Sequence, residues 1–140
     1  NSEMFKKVNG FDPLFWMYLE DVDLSWRSKI NGYRVIQNPQ AVAYHFTGLY
    51  FSYIENSYAL EDFWSLRNFL YISYKYWGNY GLKRAKKLIN EVKHYNKQIK
   101  EDAINNFEEL LRKNKINRLY ILISHKFFIV YGFCPIIFSK

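Results

Sequence analysis

The sequence predicts an α/β segment followed by a mostly helical extension. Three observations predict this fold class. Acidic and apolar residues from about residue 20 are spaced as in a helix, two short runs at 33–36 and 41–46 favour strands, and from residue 58 the apolar spacing becomes helical. Of the 140 residues, 49% are hydrophobic and 24% are charged, which is typical of a globular protein with a buried core.

The first elements are a short helix and a loop. Residues 2–8 could form a helix that Asn9-Gly10 would end, because this dipeptide is a strong turn signal. Residues 11–19 are expected to be irregular, since Asp12-Pro13 favours a turn. This loop is rich in apolar and aromatic residues and leads directly into a group of acids.

A second helix and two strands complete the first segment. Residues 20–30 are predicted to form a helix, because the acids in the first turn suit the positive end of the helix dipole. Asn31-Gly32 would end this helix. The runs at 33–36 and 41–46 are then predicted as short strands, separated by Asn38-Pro39.

The second segment is expected to be helical. Residues 58–77 carry apolar side chains nearly all round, which predicts a buried helix, and Gly78 and Gly81 bracket a break after it. Residues 82–99 have apolar residues on one face and many lysines on the other, and helical spacing continues beyond them after a further break. The apolar tail at 119–138 contains Lys126, whose insertion into a bilayer would cost about 2.5–3.5 kcal/mol, so an interfacial or core-packed helix is favoured over a spanning one.

The charge is divided unevenly along the chain. Residues 1–60 carry five basic and six acidic residues, whereas residues 61–140 carry fifteen and seven, giving net charges of −1 and +8. A basic second half suits an anionic partner such as a membrane surface or a phosphorylated substrate, although lysines on a helix can simply be a solvated face. The sequence disfavours nucleic-acid binding because no recognised motif accompanies the charge. The single cysteine, Cys134, excludes an intrachain disulfide and a multi-cysteine metal site.

Three acids close to an aromatic run are the candidate chemical groups. Glu20, Asp21 and Asp23 lie where the loop enters the helix, and a carboxylate partly desolvated there could act as a general base. His45, at the end of the second predicted strand, could ligate a divalent metal as neutral imidazole. Simpler roles remain open, because the acids could cap the helix and His45 could be structural. A calcium loop is disfavoured because Trp26 stands at its required glycine position.

The stretch from Gly10 to His45 resembles the second half of the catalytic domain in family 2 inverting glycosyltransferases, and is closest to their rhamnosyl- and galactofuranosyl-transferase branch. The residues that carry the resemblance are Gly10-Phe11-Asp12, Phe15 to Tyr18, Glu20 to Leu24, Arg27, Gly32-Tyr33, Pro39 and His45, with a looser extension to Arg67-Asn68. The resemblance implies that residues 1–56 are the C-terminal, acceptor-side part of a GT-A (Rossmann-like) domain with a two-strand segment. Residues 57–140 would be its helical extension.

The resemblance also implies roles for the acids and the aromatic residues. Asp21 would be the catalytic base that removes the proton of the acceptor hydroxyl as it attacks the anomeric carbon. Glu20 would position substrate hydroxyls, and Trp16 and Tyr18 would form part of the sugar-binding wall. A single displacement of this kind inverts the anomeric configuration.

The remaining roles concern the metal and the residues around it. Asp23 and Arg27 would support the substrate site, and they are spaced to pair along a helix. His45 would complete the coordination of Mg²⁺ or Mn²⁺ on the donor diphosphate. The family's metal-binding Asp-x-Asp half is not in this sequence, so we expect the 140 residues to be an inactive C-terminal piece on their own. Asn9 replaces a family glycine, which makes the adjoining turn a departure from the pattern.

The resulting functional hypothesis is a sugar transferase for cell-envelope polysaccharides. The full-length enzyme would transfer a sugar from a nucleotide-sugar donor to a glycan or lipid-linked acceptor. It would lie in the cytoplasm, peripheral to the inner face of the cell membrane. The alternative is a non-catalytic basic module that binds membranes or nucleic acid and retains a glycosyltransferase-like remnant.

Overall fold

The computed structural model describes residues 1–44 and 57–114, which contain four helices. The helices are α1 (Ser2–Lys7), α2 (Glu20–Ile30), α3 (Ser57–Glu91) and α4 (Lys97–Lys113). The predicted helices at 2–8 and 20–30 are therefore confirmed, with α1 one residue shorter than expected.

The expected α/β class, a GT-A (Rossmann-like) part with a two-strand segment, is wrong for the described residues. Within 1–44 and 57–114 there is no strand, and residues 33–38 and 41–44 have no regular structure. The side chains of Val35, Ile36 and Val42 are 46%, 79% and 75% exposed. The reason is physical: β-branched residues favour a strand only when a neighbouring strand satisfies the backbone, and the described chain offers none here. Residues 45 and 46 of the second predicted strand lie outside the described residues.

The N-terminal helix is fixed by its cap and by a left-handed turn after it. Asn1 Oδ1 accepts hydrogen bonds from the amides of Glu3 and Met4, at 3.0 and 3.2 Å. Asn9 and Gly10 then both have positive φ, 60° and 61°. These left-handed residues turn the chain at the end of α1, before the loop that follows.

The long helix α3 is bent at Gly78. This residue has φ 59° and ψ −145°, a conformation that only glycine adopts readily, and the helix continues after it. Gly81 is also required, because a Cβ there would lie 2.7 Å from Trp77 Cβ and closer still to the Ser73 carbonyl oxygen. The break predicted at Gly78 is thus a kink within one helix.

The core forms where α3 packs against α4. Ala85 and Ile89 of α3, together with Ala103 and Phe107 of α4, are fully buried. The helix predicted at 82–99 ends earlier, at Glu91. A new helix, α4, starts at Lys97, and its N-cap residue Asn96 accepts a hydrogen bond from the Gln98 amide at 2.7 Å. Burial of apolar residues on both sides of this turn stabilises the helix pair.

None of the helices in the described ranges combines the length and apolar character needed to cross a bilayer. The apolar tail predicted at 119–138, including Cys134, lies outside the described residues.

Candidate functional site

The aromatic loop, residues 12–19, lies against α3 and leads into α2. Asp12 fixes its beginning. One oxygen of this carboxylate accepts a hydrogen bond from the Leu14 amide at 2.9 Å. The other accepts hydrogen bonds from the Tyr71 hydroxyl at 2.8 Å and from Lys75 Nζ at 2.7 Å. The loop therefore starts at an acid that α3 holds by two side chains.

Burial and hydrogen bonding act in opposite directions on Asp12. Burial by itself would raise the pKa of its carboxyl. Hydrogen bonds from Lys75, the Leu14 amide and Tyr71, together with the positive charge of Lys75, outweigh burial and hold the pKa below its usual value. Asp12 is therefore ionised at neutral pH and anchors the loop as a carboxylate.

Asp23 is the buried centre of the network. Its side chain is fully buried, and it accepts hydrogen bonds from Arg27 Nε at 2.8 Å, Lys75 Nζ at 2.6 Å and the Tyr76 hydroxyl at 2.8 Å. The predicted pairing of Asp23 with Arg27 is present, with Nη2 and Oδ2 2.7 Å apart. Arg27 also donates to the Val8 carbonyl, which ties α2 to the end of α1. A buried carboxylate with this many donors is held firmly in place.

Arg67 and Asn68 hold the middle of the aromatic loop. Arg67 Nη1 donates to the Leu14 carbonyl at 2.5 Å, and Asn68 Nδ2 donates to the carbonyls of Met17 and Tyr18, the latter at 2.9 Å. Asn68 is fully buried and Arg67 is 4% exposed. This pair was only the loose end of the sequence resemblance, yet it contacts the backbone directly in front of the acids.

The chain enters α2 through two strained residues. Tyr18 and Leu19 both have φ 67°, which lies in the left-handed region. Residues other than glycine, asparagine and aspartate rarely adopt this backbone conformation. Leu19 is the N-cap residue of α2, and its side chain makes no capping hydrogen bond. Strain of this kind costs about 1–3 kcal/mol per residue, persists where the surroundings enforce it, and clusters at functional sites.

Glu20 and Asp21 lie at the start of α2 in different environments. Asp21 is exposed, and its Oδ1 accepts a hydrogen bond from the neighbouring Val22 amide at 2.8 Å. Glu20 is partly buried, and its Oε2 makes no hydrogen bond with the described part of the chain. Neither acid is the N-cap residue, but both lie in the first turn of α2, where a negative charge suits the helix dipole. The partial desolvation expected for a carboxylate at this point is not found for Asp21, which is exposed.

The Tyr18 hydroxyl is surrounded by acids from two helices. Burial raises its pKa first, and the negative charge of Glu61, a hydrogen bond with the Glu61 carboxylate and the charges of Glu20 and Asp62 raise it further. Tyr18 therefore remains a protonated phenol at neutral pH, and its single O–H is engaged by the Glu61 carboxylate.

Trp16 forms an exposed aromatic surface with Trp64. The Trp16 side chain is 71% exposed, and its ring centroid lies 6.5 Å from that of Trp64, with the planes at 44°. The Arg67 guanidinium lies 5.6 Å from the Trp64 ring centroid on the same helix. An exposed aromatic face of this kind can stack against a sugar ring.

The metal expectation concerns a residue that the structure does not describe. His45 lies outside the described residues. Within the described residues, no group of three His, Cys, Asp or Glu side chains could hold a metal ion. Binding of Mg²⁺ or Mn²⁺ with His45 stays a prediction, and no step of the chemistry is routed through it.

The sequence did not identify Lys75, Tyr71 and Tyr76 as part of the site. One signal could have done so: Lys75 is a charged residue in a helix that is apolar nearly all round, and buried lysines require a carboxylate partner. The identity of that partner was not readable, because Asp12 and Asp23 lie 63 and 52 positions away.

A separate open cavity of about 330 Å³ lies between α1, α2 and residues 33–36. Met4, Leu24 and Ser28 are among its lining residues, and none of the carboxylates Glu20, Asp21 or Asp23 lines it. The candidate site is therefore the surface around the start of α2 and not this cavity.

Comparison with family models, with curated proteins and with solved structures finds no match.

Proposed function

We propose that this chain is the acceptor-side part of an inverting glycosyltransferase similar to those of family 2. One observation carries the proposal. Asp12, Asp23, Arg27 and the pair Arg67-Asn68, which belong to the glycosyltransferase-like pattern, meet in one buried network around the aromatic loop. A chance resemblance of short motifs would not require residues so distant in sequence to contact the same loop.

The different environments of the acids support separate roles. Asp23 is fully buried and fully engaged, so it cannot reach a substrate and serves as an anchor. Asp21 is exposed two residues earlier on the first turn of α2, where an acceptor hydroxyl can approach it. Because a general base must reach the proton that it removes, Asp21 is the base in this proposal.

The proposed reaction is a single displacement. The carboxylate of Asp21 takes the proton of the acceptor hydroxyl, whose oxygen forms a bond to the anomeric carbon of the donor sugar. The bond between that carbon and the diphosphate oxygen breaks, and the nucleoside diphosphate leaves with the bonding electrons. Attack from the face opposite the leaving group inverts the anomeric configuration.

Glu20 and Trp16 would bind the sugars. Glu20 is only partly buried and directly precedes Asp21, so its carboxylate would position a sugar hydroxyl, and Tyr18, whose hydroxyl is hydrogen-bonded to Glu61, would support the sugar-binding wall. The exposed face of Trp16 suits stacking against a pyranose ring. The acceptor class in this proposal is a glycan or a lipid-linked sugar.

The proposed location is the cytoplasmic face of the cell membrane, with peripheral attachment. The charge of +8 on residues 61–140 supports attraction to anionic lipid headgroups. Polysaccharide synthesis for the cell envelope would place a lipid-linked acceptor at that surface.

The test uses the full-length protein with a panel of nucleotide sugars: UDP-glucose, UDP-galactose, UDP-N-acetylglucosamine, dTDP-rhamnose and GDP-mannose. A membrane-lipid extract serves as the acceptor source. We expect release of nucleoside diphosphate from one donor, and proton NMR of the product should show an inverted anomeric configuration. A retained configuration would contradict the single displacement.

The non-catalytic alternative is tested with the same protein. It predicts no release from any donor, together with salt-dependent co-sedimentation with anionic vesicles or with a mixed-sequence oligonucleotide. That combination would replace the enzyme proposal with a binding module.

A further inference from the structure

Three successive turns of α3 hold the aromatic loop along its length. Arg67 and Asn68 bind the backbone carbonyls in its middle, and Tyr71 and Lys75 bind the carboxylate at its beginning. Lys75 continues to Asp23, beyond the end of the loop. The side chains that contact the loop thus come from one face of one helix.

Lys75 connects the two ends of the loop through a single ammonium group. Its Nζ lies 2.7 Å from Asp12 Oδ2 and 2.6 Å from Asp23 Oδ1, and its side chain is 6% exposed. The rings of Phe15 and Tyr71 lie 5.5 and 5.7 Å from Nζ and enclose it further. The distance between Asp12 and the first turn of α2 is therefore fixed by Lys75.

Asn68 acts on the strained turn. Its Nδ2 donates to the carbonyls of Met17 and Tyr18, directly before the two positive φ angles at Tyr18 and Leu19. Such angles persist only where the surroundings enforce them. Without the donor of Asn68, these two residues would be free to return to ordinary backbone conformations, and the direction in which α2 begins would change.

We propose that Asn68 and Lys75 are positioning residues for Asp21, an inference that rests on the proposed function. Neither contacts Asp21. They fix the backbone on both sides of it, whereas the Asp21 side chain itself accepts only a local hydrogen bond from the Val22 amide among the described residues. Because a shift of about 1 Å in a reacting group can cost about 100-fold in rate, loss of this restraint should reduce turnover without removing the base.

The first test compares hydrogen exchange in the 140-residue chain. Asn68→Asp keeps the size of the side chain and its contact with Arg67, whose Nη1 lies 2.5 Å from Asn68 Oδ1, but removes the donor to the carbonyls. We expect amides of residues 14–22 to exchange at least about tenfold faster, with those of α4 unchanged. Ser73→Ala is the matched control, because Ser73 is fully buried on α3 and its Oγ makes no hydrogen bond within the described residues.

The second test measures kcat and the donor KM in the full-length protein, with the donor that the panel identifies. Asn68→Asp should lower kcat at least about thirtyfold with the donor KM changed less than about twofold. Ala103→Gly destabilises α4, whereas the residues that hold the loop lie on α3, and it should leave both constants unchanged, which separates positioning from a general loss of stability. If Asn68→Asp does not fold, Lys75→Met combined with Asp12→Asn removes one charge of each sign and leaves Asp23 with Arg27 and Tyr76 as partners.

Each outcome decides between the hypotheses. Unchanged exchange at residues 14–22 would overturn the inference, and so would faster exchange with unchanged kcat. If the wild-type protein releases nucleoside diphosphate from no donor, the proposed function fails. In that case the exchange data still decide whether α3 holds the loop, so the two failures are distinguishable.

Discussion

Lys75 and Asp23 form a buried ion pair, with Nζ 2.6 Å from Oδ1, between residues 52 positions apart in the sequence. The same ammonium binds Asp12, and Arg27 binds the other oxygen of Asp23. Two carboxylates and two cations therefore share one enclosed site between α2, α3 and the aromatic loop. The ion pairs are buried close to the proposed base, whereas Asp21 itself is exposed.

The buried carboxylate should dominate the stability of this region. Replacement of Asp23 by Ala leaves Lys75 and Arg27 without a shared partner, and breaking a buried pair in this way typically costs about 3–5 kcal/mol. Urea denaturation of the 140-residue chain measures the change in the free energy of unfolding. Asp21→Ala, two residues away at an exposed position, should change it by less than about 1 kcal/mol. Equal effects of the two substitutions would contradict the assignment of Asp23 as the anchor.

The pKa of Asp12 predicts how stability depends on pH. The pKa of the Asp12 carboxyl in the folded chain lies below its usual value, so the unfolded state binds the proton more readily. The stabilisation is therefore fully present above the unfolded pKa and is lost as pH falls through the folded pKa. Between pH 5 and pH 2.5, the free energy of unfolding should fall less steeply in Asp12→Asn than in the wild type.

The control for this pH series is Glu3→Gln, an exposed acid on α1. Its profile should follow that of the wild type between pH 5 and pH 2.5. If the free energy of unfolding of Asp12→Asn fell with pH as steeply as that of the wild type, the pKa of Asp12 would not be lowered in the folded chain.

The kink of α3 should be sensitive to a single methyl group. Gly78 has φ 59° and ψ −145°, and a Cβ at this position would meet no other group within 4 Å, so Gly78→Ala adds backbone strain and no steric clash. We expect a loss of about 1–3 kcal/mol in the free energy of unfolding. Asn79→Ala, at the next position of the same helix, is the control. Stabilisation by Gly78→Ala, which better helix propensity alone would produce, would mean that the helix is straight there.

Trp16 should be the tryptophan most accessible to solvent in the described residues. Trp16 is 71% exposed, whereas Trp26, Trp64 and Trp77 are half-buried. Trp16→Phe should remove the fraction of fluorescence that acrylamide quenches most readily, with little change in the free energy of unfolding. An unchanged quenching curve would show that Trp16 is covered and does not offer a face for sugar stacking.

The sequence predicted the parts of the fold that depend on local patterns. The ends of α1 and α2 follow from Asn9-Gly10 and Asn31-Gly32, and the i,i+4 spacing of Asp23 and Arg27 predicted their ion pair. The strands at 33–36 and 41–46 were wrong within the described residues, because strand propensity becomes structure only beside a second strand.

The candidate site was predictable only in part, for the same reason. The acids of α2 and the exposed Trp16 are recognisable from the sequence pattern. The contacts of Asp12 and Asp23 with Lys75 depend on how α3 folds back over the loop, and no local spacing encodes a contact across 52 or 63 positions. The positive φ angles of Tyr18 and Leu19 are likewise imposed by this packing, since neither residue favours them.

The role of Asp21 is tested most directly by Asp21→Asn in the full-length protein, with turnover measured by release of nucleoside diphosphate at equal folded fraction. Asparagine keeps the shape of the side chain and cannot take the acceptor proton, so kcat should fall by about 10²–10⁴-fold while the affinity for the nucleotide stays the same. Turnover within about threefold of the wild type would show that Asp21 is not the general base, and the proposed mechanism would be wrong.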